Sequence, residues 1–84
     1  MVTISNTPNP NALKFTVGVD VGGPQTWAAG MVSDDPLTAS LLGLPGVSSI
    51  FQSADFVTLT KTPDADWAEI APEAQRILEE HFGV

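Results

Sequence analysis

An 84-residue chain with 43% hydrophobic and 15% charged residues can build one small core, here expected to span residues 1–84, and is too apolar to stay disordered. Ten acidic against three basic side chains give a formal charge of −7, so only Lys14, Lys61 and Arg76 could neutralise phosphates. Nucleic acid and anionic membrane surfaces are therefore excluded as expected partners, while the missing cysteine excludes disulfides, thiol chemistry and cysteine-ligated clusters.

The chain opens on Val2-Thr3-Ile4-Ser5, which alternates apolar and polar. The run Ala12 to Val17 alternates again, with Leu13, Phe15 and Val17 on one side and Ala12, Lys14 and Thr16 on the other. Period-two alternation predicts strands with one dry and one wet face. Between them lies Thr7-Pro8-Asn9-Pro10-Asn11. Each proline fixes its own φ and extends the residue before it, and asparagine side chains bond nearby backbone. A stiff loop is expected, either a specialised connector or a preorganised contact surface.

Residues 18–34 read as a loop with at most a helical turn, because Gly22-Gly23-Pro24 interrupts regular structure. Trp27 is expected to fold onto the core edge. Asp35-Pro36-Leu37 is a helix start, with Asp35 as cap, Pro36 at the first position and Leu37, Leu41 and Leu44 on one stripe. Asp34-Asp35 together read as capping residues rather than metal ligands.

Val47 to Phe51 and Phe56 to Lys61, rich in Val, Ile, Phe and Thr, flank the polar connector Gln52-Ser53-Ala54-Asp55 and predict a hairpin. With Phe51 facing Phe56, Ile50 lies opposite Val57 and Ser48 opposite Leu59. Ile50, Val57 and Leu59 then point to the core, and Val47, Ser49, Phe51, Phe56, Thr58 and Thr60 point away. The Phe51–Phe56 pair is either covered by Trp27 or left as an apolar patch for docking or dimerisation. Asp66 begins a last helix with a stripe of Trp67, Ile70, Ala74, Ile77, Leu78 and His81, interrupted or bent at Pro72. Glu73, Arg76 and Glu80 are spaced for ion pairs on its outer side.

The order β-β-α-β-β-α predicts an α+β two-layer sandwich, a four-stranded mainly antiparallel sheet with both helices on one face. No catalytic set assembles. The one histidine, His81, has no second histidine or cysteine to share a metal, the serines lack a base, and the glycine spacing fits no phosphate loop. No enzyme and no cofactor are expected. No apolar run approaches the roughly 20 residues that span a bilayer, and no signal peptide opens the chain, so a cytoplasmic location is expected.

The stretch Thr7 to Phe15 resembles the opening signature of the N-terminal domain of Nfu/NifU-type scaffold proteins. Asp35-Pro36-Leu37, Gly46-Val47, Asp55 to Lys61, Asp66-Trp67 and Pro72 follow in that family's order. Asp35 stands where the family often has Ser, Leu42 where it often has Phe, and residues 22–31 match poorly. The resemblance implies a part in partner contacts during iron–sulfur cluster delivery. In two-domain members of that family the cluster belongs to a separate Cys-x-x-Cys domain, and this sequence has no cysteine, so the resemblance transfers no ligating residue. The candidate partner-binding residues are Pro8, Asn9, Pro10, Asn11, Lys14, Phe51 and Phe56, and the partners expected are cluster-assembly or client proteins. A monomer or weak homodimer is expected. A small-molecule or metal-responsive binding protein is the alternative function.

Overall fold

The computed structural model describes residues 2–28, 30 and 35–84. Five strands and two helices follow one another: β1 (Thr3–Asn6), β2 (Ala12–Thr16), β3 (Gln25–Ala28), α1 (Pro36–Leu42), β4 (Val47–Ser53), β5 (Phe56–Lys61) and α2 (Trp67–Phe82). The strands form one antiparallel sheet in the order β1-β2-β5-β4-β3. The architecture is the expected two-layer α+β sandwich, with a fifth strand added at one edge.

That fifth strand, β3, lies where the sequence predicts a loop. Gln25-Thr26-Trp27-Ala28 has no strand pattern of its own. It becomes a strand by pairing with β4, Gln25 against Gln52 and Trp27 against Ile50. The chain reaches that far edge by passing the β4–β5 turn, where Val17 and Gly18 donate to the Asp55 carbonyl and Val21 donates to the Ala54 carbonyl. Trp27 is half-buried against the core, as expected, but on the helix side of the sheet. The capping role expected of Asp34 lies outside the described residues.

The β4–β5 hairpin is shorter at its tip than the sequence implies. Gln52 and Ser53 belong to β4, and only Ala54-Asp55 turn, with Ala54 at φ 51°. Phe56 therefore pairs with Ser53 and Phe51 with Thr58, not with each other. By its polarity Gln52 reads as part of the connector. It is instead buried, its amide donating to the Gln25 side chain at 2.9 Å across β3 and β4. The slip is two residues, so side chains keep their faces, and Ile50, Val57 and Leu59 all reach the core. Val47 is the exception. A bulge between Val47 and Ser49 shifts the parity and turns Val47 from the outer face into the core, 5% exposed, while the Ser48 hydroxyl donates to the Thr60 carbonyl.

Both helices cover one face. Asp35 caps α1 by accepting from the Leu37 amide and the Thr38 hydroxyl, and Leu37 and Leu41 are buried. Asp66 caps α2 through the Ala68 amide, and Ile70, Ala74 and Leu78 are buried. Pro72 does not end α2. It stands in the second turn, where a proline removes one intrahelical bond, and the solvent-exposed Ala68 leaves the orphaned carbonyl open to water. Phe15, Leu41, Ile50, Val57, Leu59 and Leu78 form the centre between the layers.

Candidate functional site

Among the described residues, no helix or strand lies over the face of the sheet opposite the helices. The register lays its side chains in rows across the strands. One row runs Ser5, Lys14, Thr58, Phe51, Thr26; the next runs Thr3, Thr16, Phe56, Ser53. Around the two rings the face is mostly hydroxyl-bearing, because threonine suits a pleated, half-wetted surface. No carboxylate belongs to any of the five strands, and Lys14 is the charged side chain of these two rows.

Phe51 and Phe56 meet diagonally, ring centroids 6.1 Å apart and tilted by 45°. Trp27, on the other side, does not cover them, and Phe51 stays 38% exposed. The Lys14 ammonium lies 4.5 Å above the centre of the Phe56 ring, a geometry worth about 0.5–1 kcal/mol where water reaches it. Lys14, Phe56 and Phe51 thus make one contiguous cluster in the middle of an open face.

The Thr7–Asn11 loop lies at the far end of β2 from that cluster, since Ala12 pairs with Thr60 and Thr16 with Phe56. Its side chains bind its own backbone. The Thr7 hydroxyl lies 2.9 Å from the carbonyls of Asn9 and Ala12, and accepts from the Asn9 amide. The Asn9 side-chain oxygen accepts from the Asn11 amide at 2.9 Å. Two distant residues finish the brace: the Lys61 ammonium donates to the Asn11 side chain at 3.1 Å, and the Trp67 indole N–H donates to the Pro10 carbonyl at 3.2 Å. Pro8, Asn9 and Pro10 are exposed, Asn11 half-buried, and the loop and Trp67 border a shallow cleft of about 390 Å³.

The seven candidate residues therefore fall into two groups, Pro8 to Asn11 at one end of the sheet and Lys14, Phe51 and Phe56 on its outer face. Phe15, which shares the family signature, is wholly buried and structural. His81 is exposed and stands edge-on to Phe82, centroids 4.8 Å apart. Among the described residues no group of His, Cys, Asp or Glu is arranged to hold a metal ion, and no helix is long and apolar enough to cross a membrane.

The family described as scaffold protein Nfu/NifU N terminal matches residues 2–83. The chain belongs to this family. A NifU-like protein of Schizosaccharomyces pombe is 36% identical over 81 residues, which cover 90% of this chain and 31% of the relative. A Drosophila erecta protein named as a mitochondrial iron–sulfur cluster scaffold homolog is 36% identical over 85 residues, 96% of this chain and 30% of the relative. The chain thus spans about a third of the length of these curated relatives. Among solved structures, a NifU-like protein from Saccharomyces cerevisiae aligns with a TM-score of 0.84 at 25% identity, over 99% of this chain and 78% of the other. The crystal structure of a Staphylococcus aureus protein aligns at 0.78 with 30% identity, over 93% and 98%. The Nfu N-terminal fold and the link to iron–sulfur cluster scaffolds stand on these similarities.

Proposed function

We propose that this chain is a non-catalytic interaction domain, folding as one unit over residues 1–84, that serves iron–sulfur cluster assembly or delivery without ligating a cluster. The observation that supports this reading best is the Lys14–Phe56–Phe51 cluster on an uncovered face without carboxylates. Covering such a face removes apolar rings, hydroxyl groups and the single Lys14 ammonium from water, and no carboxylate. A buried phenylalanine contributes about 1.5–3 kcal/mol, while desolvating a carboxylate costs several. The braced loop, with Asn9 and the prolines exposed, offers a second contact that loses little entropy on binding. The partners are cluster-assembly proteins or client apoproteins, and the chain itself is a monomer or weak homodimer. The cytoplasm is its proposed location, on composition; fractionation of cells distinguishes this from the mitochondrial setting named for the fly relatives.

Chemical-shift mapping on the isotopically labelled chain tests the proposal. Titration with a cluster-carrying scaffold or client apoprotein is expected to move resonances of Lys14, Phe51, Phe56 and Thr58, and those of Asn9 and Asn11. Phe51→Ala is expected to weaken binding about 10- to 30-fold, the ratio equivalent to about 1.5–2 kcal/mol. Titrations that leave both groups unmoved overturn the reading, and light scattering settles the oligomeric state.

A further inference from the structure

Strand β1 is an outer strand of the sheet, and it lacks the devices that usually guard such an edge. Thr3-Ile4-Ser5-Asn6 has no charge, no proline and no bulge. At the opposite edge, β3 follows directly on Pro24. The main-chain groups of β1 that face outward follow from the ladder. In an antiparallel sheet, successive residues point their N–H and C=O alternately to one neighbour and the other. Val17 donates to Asp55, and the Asn11 carbonyl accepts from Lys61, so the odd residues of β2 turn towards β5 and its even residues towards β1. Thr3 and Ser5, opposite Thr16 and Lys14, therefore bond β2, and Val2, Ile4 and Asn6 turn outward.

Val2 is closed off. Its amide donates to the Glu79 carboxylate at 3.1 Å, and its carbonyl accepts from the Gln75 side chain at 2.8 Å. Among the described residues no hydrogen bond between elements reaches the main chain of Ile4 or Asn6. The Ile4 side chain points to the helix-bearing face beside Phe15, yet it is 37% exposed where Phe15 is fully covered. An open ladder thus lies next to an uncovered aliphatic group, with a carboxylate one residue pair away.

We infer that the β1 edge takes up an extended segment of a partner protein as a sixth strand, apolar opposite Ile4 and basic opposite Val2. The apolar residue covers Ile4 while the added backbone bonds Ile4 and Asn6, as in strand-addition recognition generally. The basic residue answers Glu79 and the acidic helix behind it, where the one arginine, Arg76, is already paired with Glu73 and Glu80. A second copy of the chain fits the edge poorly, because it would bring a second −7 charge and a second Glu79 to the contact. The inference is independent of the cluster-delivery reading and concerns a different surface.

The probe is the synthetic peptide Thr-Val-Thr-Val-Thr-Lys-Thr-Lys, titrated into the isotopically labelled full chain. Hydrogen exchange is expected to slow at least tenfold at the amides of Ile4 and Asn6 and to stay unchanged at Thr3 and Ser5, which already bond β2. A peptide with Glu in place of Lys is expected to bind at least tenfold more weakly. Ile4→Pro removes an outward N–H without touching the β1–β2 ladder and is expected to abolish binding. Should that variant unfold, N-methylating the peptide's central residues makes the same cut from the other side. Four results overturn the inference: no saturable binding, perturbation centred on Phe51 and Phe56, equal binding of the Glu peptide, or protection of Ile4 and Asn6 that grows with chain concentration alone. Resonances of Lys14, Phe51 and Phe56 answer the earlier proposal separately, so either can fail by itself.

Discussion

Gly46 shows how a single residue sets the junction between α1 and the sheet. Its φ is +91°, and a β-carbon there would approach the Ala65 β-carbon to 2.5 Å and the Ile70 side chain to 3.2 Å. The Gly46 carbonyl also accepts from the Thr62 amide at 2.8 Å, so the backbone cannot easily move away. Gly46→Ala is expected to destabilise the fold by about 2–4 kcal/mol, left-handed strain adding to the overlap, as measured by urea unfolding. Nearby, the exposed Asp64 carboxyl is held below its ordinary value, first by a hydrogen bond from the Thr62 side chain and then by its own amide. A carboxylate lowered in the folded state adds stability above its unfolded pKa and loses that stability as pH falls through the folded one. Thr62→Val is therefore expected to move the Asp64 titration upward in a carboxyl-detected pH series, and whatever stability it removes is lost at neutral pH and not in acid, where both forms are protonated.

The elements differ in how openly the sequence declares them. The alternation of Ala12 to Val17 and the caps Asp35 and Asp66 stand in the residues themselves, and each is found where the pattern puts it. Strand β3 could not be seen that way, because its extended form is imposed by β4 and its own four residues include only one β-branched side chain. Gln52 looked like turn material because its polarity is satisfied by Gln25, 27 positions away. The bulge that sends Val47 inward leaves no mark in the composition of the strand. The candidate site divides likewise: the Asn/Pro loop was legible as a motif, but its ties to Lys61 and Trp67 cross 50 and 57 residues. Pro72 is exposed, and its neighbours satisfy helical geometry without it. Pro72→Ala is expected to raise stability by about 1–3 kcal/mol, seen as a higher midpoint in denaturant.

For the molecule as a whole, the core lies on one side of the sheet and the proposed contact surface on the other. Leu59 is fully buried between the layers, and Leu59→Ala is expected to cost about 2–5 kcal/mol, a large share of what a chain this size can hold. Phe51 lies one strand over with its ring on the outer side, and Phe51→Ala is expected to leave the thermal midpoint nearly unchanged while weakening partner binding. Thermal melts of both variants, run beside the binding titration, check that separation. Pairing of β2 with β5 joins the N-terminal hairpin to the C-terminal one, so neither half retains a complete core alone.

Every strand is free of carboxylates, while the turns and helices hold all the described ones. The molecule consequently has an electrical front and back. A cationic visitor is drawn first to the helices and to the rim beside Val2. An acidic one is turned away there, a neutral one is not held there, and both meet their least resistance over the aromatic rings. Orientation is thus chosen during the approach, before any side chain touches, and raising the ionic strength should blur that choice without altering the fold.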